Sequence, residues 1–233
     1  MDLSIFGSYW IIILAALACM LVSWCLKLTY SKYSKVLNSS MTSGKDMAEM
    51  ILRYNGITDV SIQNISGDLT DHFDPRNKTV GLSSEVYAGY SIASVAIAAH
   101  ECGHVMQHEK GYAPLAFRSM LLPVANIGSK LSMPLIFLGL LVNTGISDTL
   151  IQFGLIAFGL AVLFQVVTLP VEFDASARAL KSLRSMNVLS ASEMPGARSV
   201  LTAAAMTYVA STAYALLNLL RLIAIFGGGR RRD

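Results

Sequence analysis

Four long hydrophobic runs, separated by more polar segments, are the dominant pattern along the chain. Residues 5–26 form a run of about 22 positions without a charged side chain, which is long enough for a helix to cross a bilayer. Residues 150–169 form a second uncharged run, whereas 121–143 is interrupted by two prolines and a lysine, and 201–226 by one arginine. The pattern predicts a mainly α-helical, polytopic membrane protein.

Between the first two runs the chain has the shorter hydrophobic periods of a water-soluble domain. Residues 41–54 predict an amphipathic helix in which Met47, Ile51 and Tyr54 share one face. Ser43 is well placed to cap the start of this helix. The shared face is therefore expected to be buried against the rest of the domain.

Short alternating runs after this helix predict strands. Residues 69–73 and 79–83 predict a hairpin, and the alternation at residues 60–62 predicts a further strand. A long helix is expected to start at Ser84 and to end near Gly111. We expect this helix to be buried in a small α+β cytosolic unit rather than embedded in the membrane.

The long helix contains the sequence His-Glu-Cys-Gly-His at residues 100–104, which is the pattern H-E-x-x-H. Residues four apart lie on one face of a helix, so His100 and His104 can present two imidazole nitrogens to one metal ion. Glu101 lies beside that face, where its carboxylate can act as a general base. The alternative is a buried helix whose histidines hydrogen-bond neighbouring carbonyl groups.

Two histidines do not complete a catalytic zinc site, because such sites use three protein ligands and keep one position open. His108 continues along the same helix in a spacing that does not match the third histidine of the metzincins. Glu172 is the better candidate. Pro170 is expected to end or kink the preceding span, which would place Glu172 in a first helical turn. In the alternative interpretation, the helix dipole stabilises Glu172 without a metal.

Basic residues are concentrated in segments 27–118 and 178–198, which hold thirteen of the eighteen Lys and Arg residues. By the positive-inside rule both segments are cytosolic, on one side of the membrane. If helix 201–226 crosses the membrane, the basic residues 230–232 lie outside, against this rule. Either this tail is a tolerated exception, or helix 201–226 re-enters or lies along the membrane. The net charge of only +3 argues against a nucleic-acid partner.

These patterns divide the chain into five segments. They are an N-terminal transmembrane anchor (1–28), a cytosolic zincin-like unit with the motif helix (29–118), a transmembrane hairpin (119–170), a cytosolic helix with the third ligand (171–199), and a C-terminal hydrophobic helix with a basic tail (200–233).

Several short sequences carry a resemblance to a known family. They are H-E-C-G-H-V-M-Q at 100–107, D-H-F-D-P-R at 71–76, V-G-L-S at 80–83 and E-F-D at 172–174. Over nearly its whole length the chain resembles the YugP-type bacterial membrane neutral zinc metallopeptidases. More distantly, the ligand order is similar to that of HtpX and the CAAX prenyl protease, which are glutamate-zincins. The resemblance implies Zn2+ on His100, His104 and Glu172, with Glu101 as general base.

One position departs from the glutamate-zincin pattern. These proteins commonly carry an aspartate four residues after the ligand glutamate, where it hydrogen-bonds a zinc histidine, but position 176 is serine. Ser176 or Asp174 is a candidate for that contact, and Asp71 and Asp74 stay open. His72 is a candidate donor to the oxyanion, or else part of a hydrogen-bonded turn.

The expected function is a multi-pass cell-membrane zinc endopeptidase whose active site faces the cytoplasm. Its partners would be the lipid bilayer and polypeptide substrates that are membrane-associated or unfolded. Strand 80–83 or its partner could offer an edge to which an extended substrate adds. The alternatives are an intramembrane site-2 type protease, in which the motif helix itself spans, and a non-enzymatic scaffold or transporter component with a vestigial metal site.

Overall fold

The structure, a computed structural model, describes residues 3–142 and 145–226, with side chains from Tyr9 onwards. Within these residues it has seven α-helices and one three-stranded sheet. Their bounds are α1 Leu3–Tyr33, α2 Gly44–Tyr54, β1 Ser61–Ile65, β2 His72–Asp74, β3 Thr79–Ser83, α3 Ser84–Tyr87, α4 Ile92–Glu109, α5 Ala113–Leu141, α6 Ser147–Ser185 and α7 Met194–Phe226. The basic residues 230–232 lie outside the described residues.

Four of the described helices are long and apolar enough to cross a membrane: α1 from Tyr9 onwards, α5, α6 and α7. They confirm the expectation of a mainly helical, multi-pass membrane protein with a small α+β unit. α4, which carries the motif, is not among these four.

Of the two effects expected of Pro170, a helix end or a kink, the helix end is wrong. α6 runs without interruption from Ser147 to Ser185, and Glu172 lies well inside it rather than in a first turn. A proline removes one backbone donor, and long membrane helices tolerate this loss where neighbouring groups satisfy the freed carbonyl.

The chain forms two compact units. The first contains the residues up to Leu21, Ala116–Leu169 and those from Tyr208 onwards, and the second contains Val22–Leu115 and Pro170–Thr207. The helices α1, α5, α6 and α7 therefore each contribute to both units. The motif and Glu172 belong to the second unit.

In the first unit, α5 and α6 pack closely through glycines. A Cβ atom added to Gly128 would lie 2.6 Å from the Ala157 carbonyl oxygen, and one added to Gly154 would lie 2.8 Å from that of Ser132. Small residues of this kind let two membrane helices bring their backbones together. In the same unit the guanidinium of Arg221 stacks 4.0 Å from the centre of the Tyr9 ring.

In the second unit, α2 begins as expected with a reciprocal cap between Ser43 and Asp46. Met47 and Ile51 are fully buried, which confirms the core-facing side of this helix. Tyr54 is 72% exposed, so its assignment to the buried face is wrong. It is the last residue of α2.

The sheet has the strand order β1-β3-β2, with β3 parallel to β1 and antiparallel to β2. The predicted hairpin is therefore confirmed, although β2 is only three residues long. Val80 and Leu82 of β3 are fully buried. Because β3 is paired on both sides, strand 80–83 has no free edge. Its hairpin partner β2, the other strand that we expected to offer an edge, is an edge strand, as is β1.

The helix expected to start at Ser84 is two helices, α3 and α4, separated near Gly89. A Cβ atom on Gly89 would lie 2.1 Å from the Glu85 carbonyl oxygen, so the chain turns here through a close backbone approach. Ser91 then caps α4 by accepting from the Ser94 backbone amide at 3.0 Å. α4 packs against α2, α3, β2 and β3 and is buried along most of its length, as expected for a helix in the core of the small α+β unit.

Candidate metal centre

His100, His104 and Glu172 bring one ligand atom each to a common point, with all three atoms within 4.8 Å of one another. The Nε2 atom of His100 lies 3.2 Å and that of His104 3.7 Å from the same Glu172 carboxylate oxygen. The two imidazole rings are nearly perpendicular, at 84°. Two imidazole nitrogens and one carboxylate oxygen form a donor set that suits a zinc ion and leaves further positions open.

Gly103 explains how α6 comes close enough to deliver Glu172. A Cβ atom on Gly103 would lie 2.5 Å from the carbonyl oxygen of Ala175. The absence of a side chain therefore lets the backbone of α6 lie directly against α4. Ala175 is one turn after Glu172 and is fully buried in this contact.

The outer nitrogen of His100 is held by Ser176. The Nδ1 atom of His100 lies 3.1 Å from the Ser176 hydroxyl oxygen. Ser176 follows Glu172 by four residues, so both side chains point to the same side of α6. The serine thus occupies the contact that an aspartate makes in the general glutamate-zincin pattern.

The outer nitrogen of His104 is held by Gln107, a residue to which the sequence analysis gave no role. His104 Nδ1 lies 3.0 Å from Gln107 Oε1. The Gln107 side chain is fully buried, and its amide nitrogen donates to the Val171 carbonyl and to Asp174, both at 2.8 Å. Asp174 therefore contacts His104 only through Gln107. The sequence feature that could have pointed to Gln107 is its place as a polar residue three positions after His104 in a mostly apolar helix.

Glu101 is almost fully buried beside the two histidines, at 7% exposure. Burial raises the pKa of its carboxyl group, and the neighbouring His100 and His104 oppose that rise. Its carboxylate has no hydrogen-bond partner within the part of the chain that the structure describes. Glu101 is thus a buried carboxyl group directly beside the candidate metal centre.

The other proposed helper residues lie elsewhere in the second unit. His72, in β2, makes a 2.9 Å contact between Nδ1 and the Thr70 carbonyl oxygen. Asp71 accepts from the Ser83 amide at 2.7 Å, and Asp74 accepts from the amide of Arg76. Within the described ranges, none of these side chains hydrogen-bonds a ligand histidine. A role for His72 at the oxyanion stays a prediction.

The histidine motif, a glutamate from a distant helix and a hydrogen-bonding side chain behind each histidine match the metal-site pattern of zinc metallopeptidases. A family model described as "Putative neutral zinc metallopeptidase" matches residues 8–227. The chain belongs to this family, and zinc is its cofactor.

A curated relative agrees with this family. The chain is 43% identical over 205 residues to "Putative membrane protease YugP" of Bacillus subtilis (strain 168), covering 88% of this chain and 90% of that protein. No solved structure matches the chain. The comparisons confirm the resemblance that the motif, the segments before it and the E-F-D sequence indicated.

Proposed function

We propose that this protein is a membrane endopeptidase that uses zinc to hydrolyse peptide bonds of membrane-associated or unfolded polypeptides at the cytosolic face. The observation that carries the proposal is the convergence of His100, His104 and Glu172 beside the buried carboxylate of Glu101. Glu101 directly follows His100 on α4, so the proposed general base lies next to the proposed metal site.

The chemistry divides between the metal and the protein. A bound zinc ion supplies a Lewis acid that polarises the peptide carbonyl and activates water. Glu101 accepts the proton of the attacking water and returns it to the nitrogen of the leaving amine. His100, His104 and Glu172 would hold the ion, while Ser176 and Gln107 keep the two imidazole rings in place.

The free side of β2 is the proposed position of the substrate. β2 is an edge strand and packs against α4, the helix that carries the motif. An extended peptide that adds to this edge gains backbone hydrogen bonds while lying along the metal-site helix. Such binding requires a stretched or unfolded segment, which is the reason for proposing unfolded polypeptides as substrates.

The position of Glu172 in the sequence supports a substrate near the membrane. It follows the apolar run 150–169 by three residues. Most of the basic residues lie in segment 27–118, which contains the two histidines, and in segment 178–198, which follows Glu172. The positive-inside rule then favours the cytosolic side.

The site-2 alternative requires the motif helix to span the membrane. α4 instead packs against α2 and two strands of the sheet, and it is not one of the four apolar helices found among the described residues. The scaffold alternative predicts no catalysis, because a vestigial metal site would bind zinc without cleaving peptides.

The test is cleavage of an unfolded protein such as casein by the purified full-length chain, comparing the wild type with Glu101→Gln. We expect the rate to fall by roughly 10²- to 10⁴-fold, since a general base contributes about that much, while zinc content is unchanged. Glu109→Gln, at the exposed end of the same helix, is the matched control and should keep wild-type activity. Equal rates for the wild type and Glu101→Gln would refute the proposal.

A further inference from the structure

The orientation of the Gln107 amide is determined by the chemistry of its neighbours. The Val171 carbonyl and the Asp174 carboxylate can only accept hydrogen bonds, and both lie 2.8 Å from the same Gln107 atom. That atom must therefore be the NH2 nitrogen. With the amide flipped, the Gln107 oxygen, which is fully buried, would face two other acceptors.

This orientation determines which nitrogen of His104 carries the proton. The Gln107 oxygen faces His104 Nδ1 at 3.0 Å and can only accept. Nδ1 must then be the donor, so in the neutral ring the lone pair is on Nε2, the nitrogen that faces Glu172.

We propose that Gln107 is a positioning residue that fixes His104 in the tautomer with its proton on Nδ1 and so presents the Nε2 lone pair to the metal. This inference rests on the proposed metal centre and deepens it. It also assigns a function to Asp174 that differs from direct contact with a histidine: Asp174 orients the amide that orients the ring.

Arg178 extends the chain of contacts by one residue. Its Nε donates to Asp174 Oδ2 at 2.6 Å, the same oxygen that accepts from Gln107. The guanidinium also lies 5.7 Å from the centre of the Tyr112 ring. The hydrogen bond from Arg178 holds the Asp174 carboxylate in place. A chain of hydrogen bonds therefore runs from Arg178 through Asp174 and Gln107 to His104.

The two histidines are thus supported differently. Ser176 behind His100 is a hydroxyl, which can rotate and either donate or accept. Gln107 behind His104 has a fixed orientation because two acceptors hold its amide nitrogen. Only the second arrangement specifies a tautomer.

The test measures zinc affinity of the purified full-length protein by competition with a chromogenic chelator. Gln107→Leu keeps the volume and removes the acceptor, and it should weaken zinc binding about 10- to 100-fold, the usual effect of losing a partner behind a metal histidine. Gln63→Leu, the same change at an exposed position on β1, is the matched control and should bind zinc as the wild type does.

Two variants at Asp174 test the hydrogen bonds while leaving the packing of Gln107 unchanged. Asp174→Asn keeps an oxygen that can accept from both the Gln107 amide and Arg178, so it should bind zinc nearly as tightly as the wild type. Asp174→Leu removes that acceptor and should weaken zinc binding. Equal affinity in Asp174→Asn and Asp174→Leu would overturn the inference, and so would wild-type affinity in Gln107→Leu.

A second measurement needs no change at Gln107. In zinc-loaded protein labelled with ¹⁵N-histidine, the His104 Nδ1 proton should give a slowly exchanging resonance that disappears in His104→Ala. Its absence in the wild type would overturn the inference even if a Gln107 variant fails to fold. Failure of the proposed function has a different result: the wild type would bind no zinc, or His104→Ala would bind it equally well.

Discussion

Gly103 lies so close to Ala175 that a methyl group on Gly103 would come 2.5 Å from the Ala175 carbonyl oxygen. This contact joins the histidine helix α4 to α6 one turn after Glu172. The glycine inside the motif is therefore a structural requirement for bringing the third ligand to the first two. The close contact between the two helix backbones holds Glu172 next to the two histidines of the motif.

Gly103→Ala should separate α4 from α6. Overpacking of this kind costs about 1–3 kcal/mol, and the separation also moves Glu172 away from the histidines, which should weaken zinc binding. Thermal unfolding and chelator competition of the purified protein measure the two effects. Gly159→Ala is the matched control, because Gly159 lies in α6 with no atom within 4 Å of its added Cβ. Wild-type stability and zinc affinity in Gly103→Ala would contradict this account of the helix contact.

Ser176→Ala should lower zinc affinity, by up to about tenfold, because His100 Nδ1 loses its partner. Ser176→Asp should restore or increase the affinity, since a carboxylate at this position can accept from the imidazole more strongly than a hydroxyl. Chelator competition measures both. Ser185→Ala, later in the same helix, controls for loss of a hydroxyl. If Ser176→Asp binds zinc more weakly than Ser176→Ala does, the assigned contact with His100 is wrong.

Asp71→Ala should destabilise the second unit by about 1–3 kcal/mol, the usual cost of leaving a buried donor without its partner. Asp71 accepts from both the amide and the hydroxyl of Ser83, which is 1% exposed. Burial raises the pKa of Asp71, and these hydrogen bonds oppose the rise. The melting temperature is the measurement, with exposed Asp68→Ala as control. An unchanged melting temperature in Asp71→Ala would show that Ser83 finds another acceptor.

Most of the architecture could be predicted from the sequence, because it depends on local patterns. The four apolar helices follow from hydropathy over about 20 residues, which bilayer thickness imposes. The cap at Ser43 and the burial of Met47 and Ile51 follow from helical spacing. The hairpin follows from two alternating runs around a turn.

The sequence predictions were wrong where contacts in the folded protein override the local preference of a residue. Pro170 is a helix breaker by propensity, but α6 passes through it. Gly89 was taken as an interior residue of one long helix, whereas its close approach to Glu85 separates α3 from α4. The parallel pairing of β1 with β3 depends on contacts distant in sequence, so the free edge could not be assigned in advance.

For the candidate metal centre, the sequence indicated the three residues that the structure brings together and missed the contact of Gln107 with His104. The spacing of His100 and His104 is a property of one helix, so it could be predicted. The contact of Gln107 with Asp174 depends on the register between α4 and α6, which the Gly103 contact sets. No pattern within either helix alone contains that register.

The most direct test of the account is the number and affinity of zinc ions bound by the full-length protein before and after Glu172→Ala. Glu172 is the ligand whose assignment depends on the fold, since it comes from a different helix than the histidines. We predict one zinc per wild-type chain and a loss of affinity of more than about 100-fold in Glu172→Ala, beyond the effect of losing a residue behind a ligand. One zinc per chain at wild-type affinity in Glu172→Ala would contradict the proposed centre.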